Sequence, residues 1–170
     1  MIVQFVFPLS YDGEGTIFLE DVMTQDTLYN QDFAKWVKTT VEQLKQNQWE
    51  QIDLDNLVNE VEGLTKQEQR ELRNYLKLLL WHLLKWHYQP QNRSRSWEVT
   101  IEQTQEQITD ILEESPSLKQ YLENSFEAVY QQARSKAKKE TGLPLSHFPK
   151  VPPMSLEEAL IFQPTSEDTP

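Results

Sequence analysis

The chain has 170 residues, 38% hydrophobic and 25% charged, which suffices for one domain with a real core and is too apolar for a disordered polymer. It holds no Cys, which excludes disulfides, thiolate metal sites and a cysteine nucleophile, and no apolar run approaches the roughly 20 residues of a bilayer span. The net charge of −11 sits at the ends: residues 1–26 carry five acids and no base, residues 151–170 carry four acids and no base, and residues 27–150 are nearly neutral, a balance that argues against generic nucleic-acid affinity.

Residues 1–26 show no helical stripe. Asp12-Gly13-Glu14-Gly15 is a turn signal between two apolar patches, so a weak hairpin of residues 3–7 with 17–19 is one expectation. The other is that Met23 starts the native chain and residues 1–22 come from an upstream start. Residues 1–9 are apolar but short, lack a basic flank and are interrupted by Gln4 and Pro8, a poor signal peptide. With the absence of Cys, this sets a cytoplasmic location as the expectation.

A first helix is predicted over about 31–47, capped by Asn30, with Phe33, Trp36, Val37, Val41 and Leu44 on one inward face. A second starts at the N-cap Asp53, turns Leu54, Leu57, Val58 and Val61 inward, and ends near Gly63. A third opens on a capping box, Thr65 to Glu68, and runs to about Tyr88 before Pro90. Arg70, Arg73, Asn74 and Lys77 give its first half a polar face. From Leu78 it is apolar nearly all round, so other helices must surround it.

A fourth helix, about 96–114, carries a narrow stripe of Trp97, Ile101, Thr104, Ile108 and Ile111. A fifth opens at Ser115-Pro116, buries Leu118, Tyr121, Leu122, Phe126, Val129, Ala133 and Ala137, and closes at Gly142 and Pro144. Its last turns are basic (Arg134, Lys136, Lys138, Lys139), which suits the helix dipole and could also meet an anionic partner. A short helix over 155–161 follows. The expected architecture is all-α: an extension over 1–26, a single-domain bundle of about five main helices over 27–163 around a long central helix at about 65–88, and a disordered tail over 164–170. Charge blocks alternate, with four acids in 53–62, seven bases against two acids in 66–95, and eight acids against one base in 98–127. The central helix is therefore expected beside its two sequence neighbours.

Several strings are recognisable in combination: Leu28-Tyr29-Asn30-Gln31-Asp32-Phe33, Asp53-Leu54-Asp55-Asn56-Leu57, His82-Leu83-Leu84-Lys85-Trp86, Tyr88-Gln89-Pro90, Arg93-Ser94-Arg95-Ser96-Trp97, Ser115-Pro116-Ser117-Leu118 and Glu140-Thr141-Gly142-Leu143-Pro144. In this order, over about residues 28–163, the chain resembles the domain-of-unknown-function family 29. The resemblance implies a bacterial, all-helical domain and no activity, since the family has none assigned. His87 stands where the family pattern has Gln, which argues against a required ligand there. Residues 1–22 lie outside the resemblance.

Two constellations could carry chemistry. Glu60 and Glu62 near the end of the second helix could face His82 on the third, a carboxylate–histidine set of the kind that binds divalent metals or serves as acid and base. The plainer reading is a core histidine hydrogen-bonded to a carboxylate of the second helix. Arg93 and Arg95, just before a helix N-terminus, could hold a phosphate or carboxylate; the plainer reading is that they pair with neighbouring acids or lock the loop. Trp97 could stack on Arg95. Trp81, Trp86 and Trp97 read as core or as a partner surface. No nucleotide loop, dinucleotide glycine motif, serine elbow or His-Glu-x-x-His is present, and no cofactor or metal is expected. Two functions stay open. One is a non-enzymatic protein-interaction or regulatory domain with a protein partner and no affinity for membrane. The other is a metal- or phosphate-dependent hydrolase using Glu60, Glu62, His82 and Arg95.

Overall fold

A computed structural model describes residues 24–164. The hairpin and start-site expectations, and the tail beyond residue 164, lie outside these residues. Six α-helices occur among them, with no strand: α1 Thr24–Gln31, α2 Phe33–Lys45, α3 Leu54–Tyr88, α4 Arg95–Glu114, α5 Leu118–Thr141 and α6 Leu156–Ile161. The all-α expectation holds. The chain divides into two compact units, residues 1–62 and 63–170, with the division inside α3.

In the first unit, the predicted helix over 31–47 is instead two. Asp32, at φ −150°, caps α2 by accepting the Lys35 N–H at 3.0 Å and so parts it from α1. Asn47 sits at φ 57°, a left-handed conformation that Asn tolerates, where the chain leaves α2. Asp53 caps α3 as expected, with its carboxylate accepting the Asn56 N–H at 3.2 Å. Tyr29, Phe33 and Trp36 form an aromatic knot with centroids 5.0–5.8 Å apart. The Tyr29 hydroxyl donates to Glu60.

The predicted inward faces of this unit are mostly not inward. Trp36 is buried, but Phe33, Val37 and Val41 are exposed, as are Leu54, Val58 and Val61. Two short helices and the first turns of a third have too little mass to cover each other on more than one side.

The predicted break at Gly63 is absent, because α3 is one helix of 35 residues. Gly63 has no positive φ and open space where a Cβ would lie. One interior glycine costs a helix only about 0.5–1 kcal/mol, which the good helix formers on either side outweigh. Inside a continuous helix the Thr65–Glu68 capping box has no free N–H groups to serve.

The second unit holds the core. Leu72, Leu76, Leu79, Leu80, Leu83, Leu84 and Trp86 of α3 are buried against Ile101 and Ile108 of α4 and Leu118, Leu122, Val129, Tyr130, Ala133 and Ala137 of α5. The predicted hub from Leu78 onward is thus confirmed. Gly142, at φ 71°, ends α5 in the left-handed conformation that favours glycine. The chain beyond it folds back and is fastened by side chains of α5. Tyr130 donates to the Pro149 carbonyl at 2.8 Å, Gln131 to the Lys150 carbonyl at 2.9 Å, and Arg134 to the carbonyls of Leu145 and Phe148 at 3.1 and 3.0 Å. Gln105 of α4 holds the Ala159 and Phe162 carbonyls at the far end. Phe148, Leu156 and Ala159 complete the core.

Candidate functional site

Glu60 and Glu62 lie in the first unit, His82 and Arg95 in the second. Both Glu60 and His82 belong to α3, and each finds a partner within its own unit. Glu60 accepts the Tyr29 hydroxyl, which raises the pKa of that phenol above its ordinary value.

His82 is buried, and its Nδ1 donates to the Leu78 carbonyl one turn back at 2.9 Å. Its partner is thus its own helix rather than a carboxylate. Burial pushes its pKa below the usual histidine value, with Lys85 acting in the same direction, against the Leu78 bond and Glu140. The neutral imidazole is the form the fold selects.

Both arginines of the 93–97 string are engaged by the protein. Arg93 donates Nε–H to the Trp86 carbonyl at 2.9 Å, and its guanidinium lies 5.0 Å from the Trp86 ring centroid. It caps the carbonyl end of α3. Arg95 is largely exposed and sits 2.7 Å from the buried Glu98. The cation on Trp97 is Lys85, at 4.2 Å, and not Arg95 as expected.

Lys85 is the centre of a polar cluster that the sequence does not announce. It is buried, pairs with Glu140 at 3.1 Å, and also lies 5.4 Å from the Trp81 ring. The same Glu140 oxygen accepts the Trp81 indole N–H at 2.8 Å. One carboxylate at the end of α5 therefore fixes both the ammonium and the indole of α3, and the Lys136 ammonium lies 4.8 Å from the Trp81 ring centroid.

Trp81, so held, is part of an open groove of about 570 Å³ between α3 and α5, lined by Lys77, Gln131, Gln132, Ser135, Lys136 and Lys139 beside it. Among the described residues none of the three groove lysines is paired with a carboxylate. Lys77 reaches only the Asn74 side-chain oxygen, at 3.2 Å. On an acidic chain this groove is a local concentration of positive charge, beside an aromatic face and rimmed by amide and hydroxyl groups.

A family model, Domain of unknown function DUF29, matches residues 28–163. The chain belongs to DUF29. No curated protein and no solved structure gives a match. Set on the structure, several of the strings quoted from the sequence are fasteners. His82 to Trp86 and Arg93 to Trp97 supply Lys85, Trp86, Arg93 and Trp97, and Glu140 to Pro144 supplies the anchor carboxylate and the turn at Gly142. The groove lining also lies within the matched residues, and the match by itself assigns it no role. Lys136 and Lys139 were legible in the sequence as a basic helix end. What was not legible is that Lys77 and Trp81 share their groove, since contact between residues some 55 positions apart leaves no local signal.

Among the described residues no helix is long and apolar enough to cross a membrane.

Proposed function

We propose that the domain is a non-enzymatic interaction module that holds an acidic segment of a protein partner in the α3–α5 groove. The observation that carries this reading is the trio Lys77, Lys136 and Lys139, uncompensated by carboxylates among the described residues, around an indole already fixed by Glu140. A fixed aromatic face needs little ordering on binding, and lysines supply attraction of long reach and low geometric demand. Gln132 and Ser135 offer hydrogen bonds to a peptide backbone.

The test uses the full chain and a short, labelled Asp/Glu-rich peptide followed by fluorescence anisotropy. Binding is expected, weakening as salt rises. It should be lost in the Lys136→Glu/Lys139→Glu variant and kept in Lys45→Glu, whose change lies on α2. Equal binding by the groove variant and the parent chain, or no binding by the parent at low salt, refutes the proposal.

A further inference from the structure

The first unit presents a second feature, independent of the groove. Phe33, Val37 and Val41 recur at every fourth residue of α2 and are 50%, 39% and 40% exposed. Leu54, Val58 and Val61 stand at helical spacing on the first turns of α3 and are 63%, 47% and 58% exposed. Each set marks one stripe of its helix, the pattern of a face made to be covered. Six large apolar side chains so arranged exceed the scatter of single exposed residues that any soluble surface tolerates.

Charge identifies what covers them. α2 carries Lys35, Lys38 and Lys45 against Glu42, whereas residues 53–62 carry Asp53, Asp55, Glu60 and Glu62 and no base. Packing α2 on another α2 sets lysines against lysines, and packing the start of α3 on another start of α3 sets acids against acids. Packing α2 on the start of α3 of a second copy matches base with acid, and a twofold axis makes that contact twice. Flanking charges of this kind set partner choice in helical bundles whose seam is apolar. An anionic lipid surface fits poorly, since the acidic turns beside Leu54, Val58 and Val61 repel it.

We infer that the first unit is a self-association module, in which the Phe33–Val37–Val41 stripe of one copy packs against the Leu54–Val58–Val61 stripe of a second copy, and the reverse, around a twofold axis.

Light scattering coupled to size exclusion on the full chain tests this. A dimer that dissociates on dilution is expected. Val37→Asp and Val58→Asp, each at an exposed position, should each give a monomer with unchanged helical circular dichroism. Lys35→Glu/Lys38→Glu should weaken the dimer, and adding Asp55→Lys/Glu62→Lys to that variant should restore it. A parent chain that is monomeric at every concentration overturns the inference, as does a dimer untouched by both aspartate substitutions. A charge-reversed variant that the second reversal weakens further overturns the α2-on-α3 pairing. Peptide binding in the groove is read separately, so failure of either proposal leaves the other standing.

Discussion

Removing Glu140 and removing Lys85 break the same ion pair, yet the structure sets very different costs for the two. Lys85 has a side chain 9% exposed and Glu140 one 35% exposed, 3.1 Å apart. Glu140→Ala leaves an ammonium largely out of water with only the Trp97 and Trp81 faces beside it, and takes the acceptor from the Trp81 N–H. Stranding one partner of a fully buried pair costs about 3–5 kcal/mol, and the partial exposure of Glu140 lets water reach the site, so about 2–3 kcal/mol is expected. Lys85→Met keeps most of the stem volume among Trp81 and Trp97, removes the desolvated charge, and leaves a carboxylate that solvent and the Trp81 N–H still serve. Its expected cost is about 0–1 kcal/mol. Urea unfolding followed by tryptophan fluorescence reads both, with a midpoint shift for Glu140→Ala on the order of 1 M. The double variant should recover most of the Glu140→Ala loss, which a double-mutant cycle measures. Equal costs for the two single variants, or a Glu140→Ala loss below about 0.5 kcal/mol, would refute the view that the carboxylate exists to serve a buried ammonium.

The two described glycines should respond with opposite signs. Gly63→Ala, inside a helix with open space at its Cβ, should stabilise by about 0.5–1 kcal/mol, while Gly142→Ala, at φ 71°, should destabilise by about 1 kcal/mol in the same unfolding assay. Tyr130 donates to Pro149 from a buried position that pushes its pKa up to about 12. Tyr130→Phe should cost about 1 kcal/mol in thermal unfolding. Because the folded phenol holds its proton longer than the unfolded one, its share of the stability should fade as pH rises from about 10 towards about 12. His82 has the opposite pH dependence. Its pKa is lowered in the fold, so below the ordinary value of 6.5 the unfolded chain takes up a proton that the fold resists. Stability should fall as pH drops through that range, and His82→Gln should flatten the slope of urea midpoint against pH.

The second unit was largely legible because its helices bury stripes that repeat at helical spacing. Ile101, Thr104 and Ile108 are buried as their period implies, and so are Leu118, Leu122, Val129, Ala133 and Ala137. The same rule misread the first unit. Val37 and Val58 have the right period but remain exposed among the described residues, and periodicity reports that a face is apolar without saying what covers it. Gly63 misled for a different reason. Glycine ends a helix when the backbone turns left-handed there, as at Gly142, and that choice belongs to the chain beyond it. The groove and its anchor followed the same divide. Lys136 and Lys139 were visible as a basic cluster, but Lys85 read as one more polar residue in an apolar helix until Glu140, 55 positions away, stood beside it.

Gln131 has two duties whose conjunction matters. Its amide nitrogen holds the Lys150 carbonyl and the Glu127 carboxylate, its oxygen receives the Arg134 guanidinium, and its side chain forms one wall of the groove. The returning C-terminal segment and the groove thus draw on a single amide group. Under the proposed binding mode, an occupant that recruits this amide would have to displace the Lys150 carbonyl or the Glu127 carboxylate from it.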